Sequence, residues 1–282
     1  MITPTRPIVR YHGGKWRLAP WIISHFPAHR VYVEPFGGGG SVLLRKGRSY
    51  AEVYNDLDAE IVNLFRVARD EGRELVRRIR LTPFARDEYI SAFKDVSDPI
   101  ERARLTVIRA YMGFWSNSIN RMVKSGFRAN TKRSHTIPSH DWAGFPECLV
   151  TIMHRLHGVV VENRDAVEVM EAQDGPETLH YVDPPYVHST RMEGAAEHGY
   201  AHEMTDDQHR ALAEVLRSLK GMVIVSGYPS DLYMQLFADW RRDDMAARAD
   251  GARERTECLW MNPAASCVGL FTTSPFVTEK TQ

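Results

Sequence analysis

Short β-branched runs recur along the chain, and each stops at polar or glycine residues. Val31-Tyr32-Val33-Glu34 runs into Pro35 and a glycine cluster, and the run 49–54 stops at Asn55-Asp56. Val159-Val160-Val161 stops near Asn163-Arg164-Asp165, the run 179–182 at Asp183, and the run 222–225 at Ser226-Gly227. This punctuation predicts five strands whose C-terminal ends are polar. Between some of them the period becomes helical. Residues 59–69 carry Ile61, Leu64, Phe65 and Ala68 on one face. Thr205-Asp206-Asp207-Gln208 reads as a capping box, and Leu212, Val215, Leu216 and Leu219 follow at helical spacing. Strands alternating with helices predict an α/β fold with a largely parallel sheet. Such sheets hold ligands at the C-terminal ends of their strands, where the polar clusters lie.

Between about residues 70 and 150 the pattern changes. Helical stretches such as 102–112 dominate, and the polar run 130–141 reads as loop. This suggests a catalytic domain built from residues 1–68 and 151–282, with residues 69–150 inserted between its halves. Residues 243–255, centred on Asp250-Gly251, read as a charged turn joining strands near Trp240 and Cys258-Leu259-Trp260.

Charge sharpens the picture of the insert. Lys plus Arg and Asp plus Glu both total 36 in 282 residues, so the chain is neutral overall. From Arg102 to His140, however, there is no Asp or Glu, while Arg102, Arg104, Arg109, Arg121, Lys124, Arg128, Lys132 and Arg133 all occur. A basic segment in a neutral protein is a candidate phosphate-contacting surface, with a solvated face as the alternative. No run approaches the roughly 18 apolar residues of a membrane span, and residues 1–6 lack the apolar core of a signal peptide. Cys148, Cys258 and Cys267 fit neither a disulfide framework nor a zinc spacing. These features suggest a cytoplasmic protein.

Glu34-Pro35-Phe36-Gly37-Gly38-Gly39-Gly40-Ser41 directly follows the first strand. Glycines there let the backbone bend sharply and approach a ligand. The dinucleotide fingerprint fails, because Val42 or Leu43 stands where its third glycine belongs, and no Gly-Lys-Ser/Thr of a P-loop is present. The site therefore suits a cofactor without a pyrophosphate. Asp56, after the second strand, is placed to accept from ribose hydroxyls. Asp165, after the third, could accept from a cofactor adenine amine; capping the helix at 166–171 would explain it equally well. Tyr11-His12-Gly13-Gly14-Lys15 adds a second glycine turn with a ring and a cation.

Asp183-Pro184-Pro185-Tyr186 carries the chemistry. The N6 amine of adenine is a poor nucleophile because its lone pair is delocalised into the ring. A carboxylate and a backbone carbonyl that accept from its two N–H groups would draw that lone pair out. Asp183 supplies the carboxylate and Pro184 the carbonyl. Pro184 and Pro185 stiffen the turn, and Tyr186 offers a face for an extruded base. A sulfonium methyl donor is already charged, so alignment is the main demand, and it can supply up to about 7–11 kcal/mol.

With these motifs in this order, the chain resembles the Dam-type DNA adenine N6-methyltransferases. Their cofactor motif comes first, their recognition insert second and their catalytic motif third. Residues 11–15, 34–41, 55–56 and 183–186 carry the likeness, with weaker similarity through Asp165, 200–216 and 257–260. The resemblance implies a Rossmann-like, class I methyltransferase sheet of seven mostly parallel strands, with an inserted helical target-recognition domain. It implies S-adenosyl-L-methionine as cofactor and double-stranded DNA as partner. Tyr11 would pack on the cofactor and Lys15 pair with its methionine carboxylate. Glu34, Phe36, Gly37, Gly39 and Ser41 would line its cleft. Asp56 would bind its ribose, Asp165 its adenine, and Asp183 would border it while handling the base with Tyr186. Asn117, Asn120, Arg121, Lys124, Arg128, Lys132 and Arg133 would face DNA, and the turn near Arg253 and Arg255 would touch its backbone. No metal is expected; His188, His198 and His202 lack a ligating spacing, and residues 187–203 read as a loop that orders over the base. A monomer is expected, with a cognate restriction nuclease as a candidate partner and a prophage as a candidate setting.

Three other readings compete. RNA adenine or cytosine N4 could be the acceptor, although serine in place of Asp183 would suit N4 better. A nucleotide-cofactor oxidoreductase conflicts with the broken glycine fingerprint. A DNA-binding regulator without catalysis conflicts with the intact Asp56, Asp183 and Tyr186.

Overall fold

The computed structural model describes residues 3–11, 13–114, 125–132, 136–190, 202–248 and 254–266. The strands are β1 (Val31–Glu34), β2 (Ala51–Asn55), β3 (Val159–Glu162), β4 (Thr178–Val182), β5 (Met222–Gly227), β6 (Arg241–Arg248) and β7 (Glu254–Met261). They form one seven-stranded sheet in the order β3-β2-β1-β4-β5-β7-β6. β1 to β5 run parallel, and β7 is antiparallel to both β5 and β6. The five predicted strands are all present, within two residues at each end. Every residue of β4 and β5 is buried, as expected for parallel strands covered on both faces.

The helices are α1 (Ala19–Ser24), α2 (Ser41–Arg45), α3 (Ala59–Asp70), α4 (Gly72–Arg80), α5 (Arg86–Ser91), α6 (Pro99–Met112), α7 (Pro138–Ala143), α8 (Phe145–Leu156), α9 (Ala166–Gln173), α10 (Asp206–Ser218), α11 (Asp231–Leu236) and α12 (Pro263–Ser266). α3 buries Ile61, Leu64, Phe65 and Ala68, the face its periodicity predicts. The Asp58 side chain caps it by accepting from Glu60 N. Thr205 and Gln208 form the expected capping box of α10.

One face of the sheet shares a core with α3, α4, α6 and α8, through residues such as Leu64, Leu75, Ile108 and Ile152 with Tyr32 and Leu179. The helices after residue 70 therefore continue the sheet's own apolar core. On the other face α10 and α11 pack Leu212, Leu216, Leu232 and Tyr233 onto Val223, Val225 and Trp260.

Two expectations about loops are corrected. The charged segment 243–255 is largely strand: β6 and β7 pair from Arg241↔Met261 to Arg248↔Glu254. β6 is one of the two sheet edges, where charged side chains such as Arg242 and Asp244 are tolerated and discourage pairing with another chain, so it lacks an apolar run. Asp250 and Gly251 lie outside the described residues. The polar run 130–141 ends in helix, because Pro138 starts α7 at a position where its missing N–H costs nothing.

Chain order along the sheet reverses between β1 and β4. After β1 the chain builds toward β2 and β3, and after β4 toward β5. β1 and β4 are parallel neighbours in the register Val33↔His180. The glycine cluster and Asp183 leave the same edge side by side, and the helices on the two faces part there to leave a crevice.

Candidate functional site

That crevice holds a cavity of about 330 Å³. Its wall includes all ten residues expected at a cofactor: Tyr11, Lys15, Glu34, Phe36, Gly37, Gly39, Ser41, Asp56, Asp165 and Asp183. Pro185 joins them. Sequence reading missed the opposite wall, where Met204, Gln208, Leu212 and Val215 come from α10 and the residues before it. An amphipathic helix betrays its apolar face but not that part of it faces a void.

The glycine turn is shaped by aromatic packing. A Cβ on Gly37 would lie 2.2 Å from the Tyr54 ring, and one on Gly40 2.6 Å from Phe65. Tyr54 and Phe65 are stacked with centroids 4.1 Å apart, and the Tyr54 hydroxyl donates to Gly38 O at 2.6 Å. Gly38 and Gly40 have φ of 47° and 59°, the left-handed region that glycine enters freely. Tyr11 lies against Gly38 and Gly39, with its Cβ 3.1 Å from the position of a Gly39 Cβ.

Three strand ends are tied together beneath this turn. Asn55, fully buried, donates to Pro35 O at 2.9 Å and Arg164 O at 3.0 Å, and accepts from Arg164 N. Asp56 accepts from Gly38 N at 2.7 Å and Asp58 N at 2.8 Å. Burial raises its carboxyl to about 6 against those two bonds. Glu34 accepts from the Tyr32 hydroxyl at 2.6 Å and Leu43 N at 2.9 Å. Burial pushes it up to about 8, with Asp183 adding to the rise. Asp165 caps α9 by accepting from Val167 N and also borders the cavity; capping and ligand contact are compatible, since a carboxylate has further lone pairs.

Asp183 is held from two sides. Ser226, at the end of β5, donates to Asp183 Oδ1 at 2.8 Å, and the Tyr181 hydroxyl lies 3.0 Å from Ser226 Oγ. Lys15 Nζ stands 2.7 and 2.9 Å from the two Asp183 oxygens and 2.5 Å from the Tyr186 hydroxyl. The cation expected to reach a cofactor carboxylate thus rests on Asp183. Lys15 is only 4% exposed, so its charge needs the carboxylates around it. Glu257 of β7, 1% exposed, is the second of these, 3.6 Å from Nζ. Tyr186 is buried too: its ring packs on Tyr228 with centroids 4.3 Å apart, and its hydroxyl donates to Glu257 at 3.2 Å. Its stacking face is therefore shared with Tyr228. The sequence reading marked Ser226 as a strand end and 257–260 as a stretch of similarity but assigned no role to Ser226, Tyr228 or Glu257, because their contacts exist only once β5 and β7 lie beside β4.

The DNA-facing set is revised. Asn117, Asn120, Arg121, Lys124, Arg133 and Arg253 lie outside the described residues. Lys132 is exposed. Arg128 is 5% exposed and its guanidinium donates to Tyr111 O at the end of α6, so it is not a surface phosphate contact. The basic segment is also not acid-free in space. Arg102 and Arg109 pair with Glu60, and Arg104 with Glu88 and Glu101. Charge density along the chain overstated the field, because helix packing brought acids from elsewhere. Arg255 reaches over the Tyr228 ring, 5.8 Å from its centroid.

Among the described residues no three His, Cys, Asp or Glu side chains gather as a metal site. His202 borders the cavity, while His198 lies outside the described residues, as does most of the expected loop 187–203. No helix among the described residues is long and apolar enough to cross a membrane.

A mostly parallel seven-stranded sheet, with its cavity at the β1/β4 reversal between a glycine turn and an Asp-Pro-Pro-Tyr corner, is a class I methyltransferase arrangement. Residues 11–248 match the D12 class N6 adenine-specific DNA methyltransferases, and the chain belongs to that family. A type II methyltransferase of Lactococcus lactis subsp. cremoris is 27% identical over 272 residues, covering 88% of this chain and 90% of its own. The DNA adenine methylase of Haemophilus influenzae is 28% identical over 229 residues, covering 76% of this chain and 75% of its own. That of Serratia marcescens is 26% identical over 254 residues, with 83% and 86% covered.

Proposed function

We propose that the chain methylates adenine N6 at specific sites in duplex DNA, using S-adenosylmethionine and taking the target base out of the stack. The juxtaposition of Asp183 with the glycine turn on one cavity carries this reading. The donor would supply a methyl group on a positively charged sulfur, ready for direct displacement. The residues present fit such a molecule: an apolar wall of Phe36, Leu212 and Val215 lies beside acceptors at Asp56 and Asp165, and no pyrophosphate-binding sequence is present. Asp56 would accept from ribose hydroxyls, and Asp165 from an adenine amine with the lone pairs its cap leaves over.

Asp183 would accept one N6 hydrogen and the Pro184 carbonyl the other, which localises the nitrogen lone pair toward the methyl group. Ser226 holds the carboxylate in the required orientation from below. The Tyr186–Tyr228 pair would form the aromatic wall for the everted base, and unpairing the base costs a few kcal/mol that such stacking offsets. The rigid diproline corner limits misalignment, on which most of the rate depends.

Methylome sequencing of DNA from cells expressing the chain tests the reading. N6-methyladenine at one defined sequence is expected, and it is lost in Asp183→Ala while DNA affinity stays within about threefold, since that side chain reaches the base only after eversion. Methylation at cytosine, at RNA alone, or undiminished in Asp183→Ala would overturn it.

A further inference from the structure

The catalytic acid described above is occupied. Lys15 Nζ lies against both Asp183 oxygens at 2.7 and 2.9 Å, and the Asp183 side chain is only 17% exposed. An N6 amine needs that same carboxylate as acceptor. A cation held at both oxygens competes with it directly, and Lys15 is too buried to retreat into water.

A second seat is already built. Glu257 Oε2 takes the Tyr186 hydroxyl at 3.2 Å. Glu257 Oε1 faces Lys15 Nζ at 3.6 Å, just beyond hydrogen-bond reach, and accepts no hydrogen bond among the described residues. A buried carboxylate oxygen without a donor is costly, and a shift of Nζ by roughly one ångström would satisfy it. Tyr186 links the two seats, since its hydroxyl touches both Nζ and Glu257.

We propose that Glu257 is a positioning residue that receives Lys15 when the target base displaces it from Asp183. The transfer keeps the ammonium paired throughout, so the base enters without leaving a buried charge alone. It also keeps a positive charge near Asp183, which holds that acid ready to accept. This rests on the functional reading above.

The charge of Glu257 controls the seat. Burial raises its carboxyl to about 7, Asp183 adds to the rise, and Lys15 and the Tyr186 hydroxyl oppose it. The other groups facing it are the Tyr181 and Tyr228 phenols, both raised and so neutral near pH 7, and the Cys258 thiol beside it on β7, raised to about 12. Protonated Glu257 draws Lys15 weakly and leaves it on Asp183; ionised Glu257 releases Asp183 to the base. Turnover on DNA should therefore rise with pH through about 7. Glu34, on the far side of Asp183, titrates near 8, so the comparison with a Glu257 variant isolates the effect.

The experiment measures kcat and KM for plasmid DNA from pH 6 to 8.5, with calorimetric binding of S-adenosylmethionine measured separately. Glu257→Gln is expected to lower kcat/KM for DNA at least about tenfold at pH 8, because one partner of a buried charge pair is gone. It should also lose the rise near pH 7 and bind the donor within about threefold of wild type. An unchanged pH profile in Glu257→Gln would overturn the proposal. So would a loss that saturating donor fully restores, which would place Lys15 on the donor's carboxylate instead. If Glu257→Gln does not fold, Glu257→Asp decides: a displaced pH limb supports the transfer and an unmoved one refutes it. A wild-type chain that methylates no DNA would overturn the functional reading itself, whereas active enzyme indifferent to Glu257→Gln overturns this inference alone.

Discussion

Gly37→Ala isolates the packing that shapes the glycine-turn side of the cavity. The new Cβ would sit 2.2 Å from Tyr54 Cε2, so the ring must retreat to an ordinary contact of at least 3.4 Å. Little room exists for that. Tyr54 is fully buried, stacked on Phe65 at 9° and tied to Gly38 O through its hydroxyl. Overpacking of this kind costs about 1–3 kcal/mol, and losing the hydroxyl bond adds about 1 kcal/mol. At about 2–4 °C per kcal/mol for a chain near this size, the melting temperature should fall by roughly 4–16 °C. Thermal melts read the stability, and calorimetric titration with S-adenosylmethionine reads the turn; binding should weaken at least about tenfold as Gly38 N leaves Asp56. Gly47→Ala is the control, since its Cβ meets nothing within 4 Å and its melting temperature should stay within about 1 °C. In a Tyr54→Ala background the added cost of Gly37→Ala should nearly vanish, because the clashing partner is gone. A Gly37→Ala protein that melts and binds donor like wild type would refute the argument.

Two further outcomes follow from buried acids. Burial lifts Asp56 to about 6, and ribose hydroxyls would donate to its ionised form, so donor affinity should fall as pH drops below about 6; Asp56→Asn should bind about 10–100-fold more weakly at pH 8 and lose that dependence, and a pH-independent wild type would count against ribose binding there. Glu34, near 8 when folded against an ordinary 4.5, holds a proton that the unfolded chain releases, so stability should fall as pH rises between those values, by up to about 1.4 kcal/mol per pH unit. Urea unfolding of Glu34→Gln should show that slope flattened, and an unaltered slope would mean another group is responsible.

Local order was legible in the amino-acid sequence. Strands β1 to β5 showed as short apolar runs ending at polar residues, most clearly β4 and β5, which are buried on both faces, and α3 and α10 showed through helical spacing and caps. The polar strand ends named the cavity's acids, since parallel sheets put ligands at those ends. β6 was legible only as a strand near Trp240, and its charged remainder read as turn, because Arg242, Asp243 and Asp244 leave this edge without an apolar run. The basic segment misled because Glu60 and Glu88 neutralise it across helix contacts that no local pattern encodes. Arg128 turned inward for a similar reason, since α6 ends where its guanidinium can reach a carbonyl.

The division follows from the range of the forces. Hydrophobic period, glycine and proline act within a few residues, so the sequence by itself determined β1 to β5, α3 and α10, the glycine turn and the Asp183 corner. Electrostatic partnership acts through space and needs every neighbour in place. Only the tertiary structure decided that Lys15 rests on Asp183, that Ser226 and Glu257 complete the group, and that Tyr228 covers Tyr186, because the turn before α1 and the segments at β4, β5 and β7 converge there from four separate stretches of chain.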